Sequence, residues 1–225
     1  MSDLFLKILN FIKLFLPYGL YKLIIYIKMH SNKNKINRKI NFTLRDLKKN
    51  GRRVNLELGE TRHRLAEWIT IDIAKGADLI LDLNNPLPFP DNCIDQIYCS
   101  HLLEHFTFEN ITKLLLECVR ILKKGGTLQV AVPDANLYIE AYLHPEEFDI
   151  NKYGVYKTAF NYYSEIDYLN YIAYMGGCHH YMFDKKQLIL ILVSAGFHKV
   201  DLRGFDPKLD LEEKKEESIY AIAER

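Results

Sequence analysis

Residues 77–100 read ADLILDLNNPLPFPDNCIDQIYCS and contain two short apolar runs, 79–81 and 94–99, on either side of a proline-rich turn. Short apolar runs that are bounded by Pro, Asn and Asp are typical of buried β-strands. The turn cannot continue a strand, because proline lacks the backbone N–H that a sheet ladder needs. The stretch therefore predicts two strands separated by a loop.

Apolar residues alternate with polar ones in three further runs, at residues 54–58, 69–73 and 128–132. A period of two is the pattern of a strand. Helical patterns lie between several of these runs. Because strands that alternate with helices form parallel sheets, we expect an α/β fold whose first five strands are parallel. Two last runs, 199–205 and 218–224, predict an antiparallel pair at the carboxyl end.

Two helices are indicated by apolar spacing and by their ends. The first has apolar residues at helical spacing over 111–122, and Lys-Lys-Gly-Gly at 123–126 predicts where it ends. The second begins at Asp184, with Gln187 as the partner of a capping box, and runs to Gly196. Both helices would lie against the sheet.

Residues 135–183 form a segment rich in Tyr and Phe. Its aromatic residues include Tyr138, Tyr142, Tyr153, Tyr156, Phe160, Tyr162, Tyr163, Tyr168, Tyr171, Tyr174 and Tyr181. The segment is too long for a plain crossover, so we interpret it as a lid or insertion on the substrate side. Simple packing of a helical subdomain is the alternative explanation.

Composition indicates a globular protein, since 48% of the 225 residues are hydrophobic and 26% are charged. Residues 1–53 hold 13 Lys and Arg against 2 Asp, a local charge of +11 that leaves −10 for the rest. We therefore predict a basic amino-terminal arm, 1–45, and a domain, 46–225, into which 135–183 is inserted. The cysteines have no C-x-x-C spacing and no secretory leader precedes them, which indicates reduced thiols and a cytoplasmic protein. They are Cys93, Cys99, Cys118 and Cys178.

The arm is apolar over residues 4–27, but lysines and Pro17 interrupt the run, so it is too short for a membrane span. Lys7, Asn10 and Lys13 share one side of a helix and leave the other side apolar, which is the pattern of a helix in a membrane interface. The basic residues after it would add attraction to an anionic leaflet. We predict peripheral membrane contact through residues 1–40, with packing on the domain or a dimer contact as the alternative. No nucleic-acid motif lies beside the basic residues, so we expect no nucleic-acid partner.

Chemistry-bearing residues follow the ends of the predicted strands. Gly59 comes directly after the first strand, where a glycine lets the backbone approach a ligand closely. Asp72 ends the second strand, and an acid in this position can accept hydrogen bonds from ribose hydroxyls. Together they indicate a nucleotide-like ligand at the carboxyl edge of the sheet.

The runs ADLILDLNNPLPFPDNCIDQIYCSHLLEH, residues 77–105, and RILKKGGTLQVAVPD, residues 120–134, resemble small class I S-adenosylmethionine (SAM)-dependent methyltransferases linked to surface-polysaccharide biosynthesis. The resemblance implies a Rossmann-like sheet of seven strands in the order 3-2-1-4-5-7-6, with strand 7 antiparallel and helices on both faces. It also implies SAM as cofactor, bound across the carboxyl ends of the strands.

The resemblance assigns roles to particular residues. Those expected to bind the cofactor are Glu57, Gly59, Asp72, Asp82, Leu83, Ser100 and His101. A methyl transfer to a hydroxyl also needs a base that removes the proton. The candidates for that base are His101, His179, His180 and Asp134. Because adjacent histidines point in different directions, we expect at most one of His179 and His180 to meet the cleft.

Two departures from the family pattern concern the loop after the first strand. Similar enzymes have a second glycine where this chain has Thr61, and a small residue where it has Glu60. Because a non-glycine residue at positive φ costs about 1 to 2 kcal/mol, Thr61 implies a shifted loop or weaker cofactor binding. In addition, only ten residues separate Leu58 from Ile69, which is fewer than a helical crossover needs, so we expect a stunted first helix.

His101-Leu102-Leu103-Glu104-His105 also matches the H-x-x-E-H pattern of some zinc proteases. The pattern here follows a strand that carries nucleotide-site signals, and no third ligand is evident downstream. We therefore expect no metal ion and interpret His105 as structural.

We accordingly predict O-methylation of a sugar, nucleotide-sugar or capsule or lipopolysaccharide precursor. Methylation of a phosphate or phosphoramidate oxygen on such a precursor is an alternative. A non-catalytic module that keeps the fold and binds a partner is the other, and Glu60 and Thr61 are its main support. The predicted partner is a small-molecule or glycan-precursor substrate.

Overall fold

The structure is a computed structural model that describes residues 35–61, 65–153 and 156–225. The chain divides into two compact units, Met1–Arg45 and Asp46–Arg225. A helix, α1, occupies residues 35–49. The interfacial helix that we predict over residues 4–27 lies outside the described residues. Within the described part of the chain, no helix combines the length and the apolar character needed to cross a membrane.

The second unit is built on one sheet of seven strands. They are β1 (Asn55–Leu58), β2 (Ile69–Asp72), β3 (Leu79–Ile80), β4 (Ile94–Ser100), β5 (Leu122–Pro133), β6 (His198–Arg203) and β7 (Ser218–Glu224). Their order across the sheet is β3-β2-β1-β4-β5-β7-β6. The predicted strand order is confirmed.

Strand directions also follow the prediction. β1 is parallel to β2 and β4, β2 to β3, and β4 to β5. β7 is antiparallel to both β5 and β6. Leu56 of β1 lies opposite Ile69 and Ile97. This register brings the carboxyl ends of β1, β2, β4 and β5 to one edge of the sheet.

The remaining helices are α2 (Phe108–Ile121), α3 (Ala135–Leu143), α4 (Ile166–Tyr174) and α5 (Lys185–Ser194). Asp184 caps α5 as predicted, because its side chain accepts a hydrogen bond from the Gln187 backbone N–H at 2.6 Å. The Gln187 side chain donates instead to the Tyr181 hydroxyl at 2.6 Å. The described residues between β1 and β2 contain no helix, as the short connection predicts.

The predicted end of α2 at Lys-Lys-Gly-Gly is wrong. The helix stops at Ile121, and Leu122 takes an extended conformation and starts β5, where it pairs with Ile94. Leu122 and Ile94 are both fully buried, so burial of an apolar pair outweighs the local signal for a helix end. Residues 123–126 are therefore part of the strand.

The core consists of apolar side chains from both faces of the central strands. Leu56, Ile71, Ile97 and Val130 have no exposed surface. Strands of a parallel sheet that is covered on both faces bury nearly every side chain, which explains their Val, Ile and Leu content. Such a rigid sheet is a suitable base for a site at its edge.

Candidate active site

Four of the predicted site residues lie at the end of a strand or directly after it. Gly59 follows β1, Asp72 ends β2, Ser100 ends β4 and Asp134 follows β5. Because parallel strands end at the same edge, these four positions lie along one side of the sheet. Ligands of open α/β sheets bind in the crevice outside these strand ends.

Gly59 cannot be replaced without strain. Its φ is +80°, in the left-handed region, and an added Cβ would lie 2.7 Å from Leu102 Cδ1. Its backbone N–H donates to the Ile71 carbonyl at 2.8 Å, which fixes the turn against β2. The backbone directly after β1 thus carries no side chain at Gly59, and the buried Glu57 lies two residues before it in β1.

The two residues directly after Gly59 do not carry the strain that a missing second glycine would imply. Neither Glu60 nor Thr61 has a positive φ. The Glu60 side chain accepts a hydrogen bond from the Thr61 backbone N–H at 2.8 Å. Backbone strain is therefore absent at Thr61 itself.

The two acids after β2 and β3 each hold a turn. Asp72 accepts a hydrogen bond from the Ala74 backbone N–H at 2.6 Å, through Oδ1. Asp82 accepts from the Asn84 backbone at 3.0 Å through Oδ1 and from the Asn85 side chain at 3.1 Å through Oδ2. Leu83, which follows Asp82, is buried.

Ser100 presents a buried hydroxyl at the end of β4. Among the described residues, its Oγ has no hydrogen-bond partner. A buried polar atom without a partner is costly unless a ligand satisfies it. Together with the backbone at Gly59, which carries no side chain, this hydroxyl fits a polar ligand at the ends of β1 and β4.

His101 is held in an unusual conformation directly after β4. Its φ is +48°, which costs about 1 to 2 kcal/mol for a non-glycine residue. Its backbone N–H donates to the Ala131 carbonyl of β5 at 2.8 Å. Residues held in sparsely populated conformations are typical of functional sites.

The side chain of His101 has a defined tautomer. The Ser218 hydroxyl donates to the Lys214 carbonyl at 2.6 Å, so it must accept from His101 Nε2–H at 2.7 Å. Nδ1 therefore carries the lone pair and lies 3.6 Å from Glu104 Oε1 and 4.0 Å from Glu217 Oε1. Burial lowers the pKa of His101 well below its usual value, and the nearby positive charge of Lys214 adds to this effect.

The predicted lid histidines face opposite ways. His179 is buried, and its Nδ1 lies 2.9 Å from the Ile172 carbonyl. Burial lowers the pKa of His179 to about 4. His180 is exposed, although its backbone N–H donates to the Glu104 carbonyl at 2.8 Å. The expectation that neighbouring histidines diverge fits this geometry.

Asp134 has a local structural task. It is the N-cap of α3, and its carboxylate accepts a hydrogen bond from the Asn136 backbone N–H at 3.0 Å. Burial raises the pKa of its half-buried carboxyl group. The cap explains an acid at this position without any role in catalysis.

Glu104 is a further site residue, and it is not among the cofactor-binding or catalytic residues predicted from the sequence. It lies in a short 3-10 turn, Leu103–His105, and only 2% of its surface is exposed. Burial raises the pKa of Glu104 to about 8. The H-x-x-E-H pattern contained the signal, but the nearness of His179, 75 positions further along, is a tertiary contact that the pattern does not reveal.

The aromatic insertion has a core of its own. Tyr138, Tyr168, Tyr171 and Ile172 are buried together, and Phe148 is among the residues that pack against them. The alternative of a packed helical subdomain therefore holds for these residues. A second set of tyrosines is exposed: Tyr142, Tyr156, Tyr162, Tyr163 and Tyr174.

Comparison with known proteins gives a family match. Residues 44–130 match a family described as a methyltransferase domain. No curated protein matches the chain at a significant level.

Solved structures of low sequence identity are similar to the chain. A SAM-dependent methyltransferase from Archaeoglobus fulgidus is 17% identical with a TM-score of 0.48, over 82% of this chain and 94% of that one. One from Thermotoga maritima is 16% identical with a TM-score of 0.49, over 89% and 98%. One from Mesorhizobium loti is 15% identical with a TM-score of 0.46, over 76% and 90%.

The matched residues 44–130 span most of the chain from β1 into β5, so this part of the protein is similar to a methyltransferase domain. The order and directions of the seven strands are those of a Rossmann-like fold.

Proposed function

We propose that the protein transfers the methyl group of SAM to a hydroxyl of a sugar, nucleotide-sugar or capsule or lipopolysaccharide precursor. The observation that carries the proposal is the neutral His101 at the end of β4, whose Nδ1 has no proton. Transfer to a hydroxyl, unlike transfer to a neutral amine, needs a base to take the acceptor's proton. SAM supplies an electrophilic methyl group when bound.

His101 suits the role of base better than the other candidates. Its Nε2–H is bonded to Ser218, so a proton can be taken up only at Nδ1. Nδ1 lies 3.6 Å from Glu104 Oε1 and 4.0 Å from Glu217 Oε1. His179 is buried, and its Nδ1 lies beside the Ile172 carbonyl. His180 is exposed. The carboxylate of Asp134 caps α3.

The exposed tyrosines of the insertion support a carbohydrate acceptor. A tyrosine offers an apolar ring face and a polar hydroxyl, which suits ligands that carry both C–H surfaces and hydroxyl groups. The side chain of Tyr163 is 90% exposed and that of Tyr174 is 62% exposed. Buried packing does not account for either of them.

We further infer that residues 1–40 attach this cytoplasmic enzyme peripherally to an anionic membrane, where precursors of surface polysaccharides are assembled. The support is the basic charge of the arm and the apolar helical face that its sequence predicts.

A methylation assay with His101→Ala tests the proposed reaction. SAM with a labelled methyl group is incubated with nucleotide sugars and with amino analogues of the same sugars, and products are identified by mass spectrometry. We expect product from the hydroxyl acceptors, and a loss of turnover of about 100- to 10,000-fold in His101→Ala.

Calorimetric titration with S-adenosylhomocysteine accompanies the assay, and we expect little change in its affinity for the variant. His198→Ala, on the exposed edge strand β6, is the control and should keep full turnover. Methylation of the amino analogues alone, or normal turnover in His101→Ala, would contradict the proposal.

A further inference from the structure

Glu104 is a buried acid whose carboxylate is not satisfied by the protein. Among the described residues, neither of its oxygens has a hydrogen-bond partner. The closest recorded nitrogens are His101 Nδ1 at 3.6 Å and His105 Nε2 at 3.9 Å, both from Oε1. These distances are too long for hydrogen bonds. The distance between Glu104 Oε1 and His105 Nε2 suits two atoms that bind a common ion, because ligands about 2.1 Å from an ion lie roughly 3 to 4 Å apart.

The histidines beside Glu104 turn lone pairs toward it. His105 Nδ1 lies 3.0 Å from the Cys178 carbonyl, and His179 Nδ1 lies 2.9 Å from the Ile172 carbonyl. A carbonyl oxygen only accepts, so each Nδ1 must carry the hydrogen and each Nε2 the lone pair. A ring that donates its other N–H to a backbone carbonyl is the usual arrangement around metal-bound histidine.

The three side chains converge. The ligand atoms that Glu104, His105 and His179 offer all lie within 4.8 Å of one another. The rings of the two histidines meet edge to face, with centroids 5.1 Å apart. Lone pairs and a carboxylate that face one another in this way repel unless a cation or a proton lies among them.

Lys214, whose positive charge acts on Glu104, is already paired with another acid. Lys214 Nζ donates to Glu217 Oε1 at 2.8 Å, and the Tyr138 hydroxyl donates to Glu217 Oε2 at 2.8 Å. Glu217 is thus neutralised and hydrogen-bonded, whereas Glu104 is not. Buried charges in proteins are paired or bind metals.

We propose that Glu104, His105 and His179 bind one divalent transition-metal ion of the Zn²⁺ type. Two imidazoles and one carboxylate are the ligand set of many zinc sites, whereas Mg²⁺ and Ca²⁺ prefer oxygen ligands alone. Three protein ligands leave at least one coordination position open. The proposed site differs from the sequence-based expectation of no metal, and it does not depend on which acceptor is methylated.

Co²⁺ is the probe that tests the site. The full-length protein is freed of metal with a chelator and titrated with Co²⁺ alone, while the visible absorption of the ion is recorded. We expect one equivalent to bind, with the spectrum of nitrogen and oxygen ligands and no thiolate charge-transfer band. An equal concentration of Mg²⁺ should not displace it, whereas Zn²⁺ should.

Glu104→Gln and His179→Ala should each weaken Co²⁺ binding by at least about 10- to 100-fold, the loss seen when even outer groups of a metal site are removed. The control, His198→Ala, lies on β6 and should bind Co²⁺ like the unmodified protein. Circular dichroism and S-adenosylhomocysteine affinity show whether each variant is folded.

Several results would overturn the proposal. One is equal Co²⁺ affinity in the unmodified protein and a folded Glu104→Gln variant, and another is a thiolate band, which would assign the ion to a cysteine. No Co²⁺ binding at all would mean that a proton, shared by Glu104 and its histidines, satisfies the cluster. None of these results bears on methyl transfer, which is measured separately.

Discussion

Asp72 stabilises a turn in the structure, and a second role, in binding the ribose, is proposed for it. Its Oδ1 accepts from the Ala74 backbone N–H at 2.6 Å, so that oxygen holds the turn after β2. The role proposed for the carboxylate in binding the ribose hydroxyls would therefore fall mainly on Oδ2. The structure thus suggests a test that separates the turn from the ligand.

Asp72→Ala should weaken the binding of S-adenosylhomocysteine by about 1.5 to 3 kcal/mol, the scale of a hydrogen bond to a charged group. Asp72→Asn is the matched variant, because its amide oxygen can keep the bond to Ala74 while the charge and one acceptor are lost. If the Asp72→Asn variant binds S-adenosylhomocysteine normally in calorimetry and the Asp72→Ala variant does not, Asp72 acts through the turn. Unchanged affinity in both variants would remove Asp72 from the cofactor site.

At the scale of elements, a buried ion pair joins the middle of the sheet to its edge. Asp210, in the segment between β6 and β7, accepts from the Tyr98 hydroxyl of β4 at 2.9 Å. Arg203 of β6 donates to both of its oxygens, at 2.6 and 2.7 Å. The Asp210 side chain is fully buried and that of Arg203 is 14% exposed. Three separate parts of the sequence thus depend on one carboxylate.

Asp210→Ala should reduce the free energy of unfolding by about 3 kcal/mol, because it leaves Arg203 and Tyr98 buried without their acceptor. The control is Lys199→Ala, which removes an exposed ion pair with Glu224 from the same two strands, β6 and β7. That loss should stay below about 1 kcal/mol. Urea denaturation measures both, and equal effects would contradict the importance assigned to burial.

Across the whole molecule, the basic arm and the acidic domain are expected to act as separate parts. The division after Arg45 leaves every strand of the sheet in the second unit. Removal of residues 1–30 should therefore leave the sheet and the cofactor site intact.

The protein without residues 1–30 should no longer bind anionic liposomes but should still bind S-adenosylhomocysteine. Binding of the full chain to liposomes should fall as salt is raised, because screening weakens the attraction between charges. Sedimentation with liposomes measures this, and neutral liposomes are the control. A truncated protein that unfolds would show instead that the arm packs on the domain.

Sequence patterns predicted the fold closely because burial imposes them. Runs such as 54–58 and 128–132 must be apolar to lie inside a covered sheet, so the strands could be predicted from their pattern. Their order came from the resemblance to a known family. The end of α2 could not, because the Lys-Lys-Gly-Gly signal is local whereas the pairing of Leu122 with Ile94 is not. Long-range burial outweighed a local preference.

Some features of the candidate site could likewise be predicted from the sequence, whereas others depend on tertiary contacts. Gly59, Asp72, Ser100 and His101 could be placed from the sequence, because the ends of parallel strands share one edge. The sequence by itself thus determined the class of fold and the edge of the sheet where the candidate site lies. The tautomer of His101 and the convergence of Glu104 with His179 were decided only by the tertiary structure. They depend on distances between residues far apart in the chain, which side-chain packing sets and residue spacing does not encode.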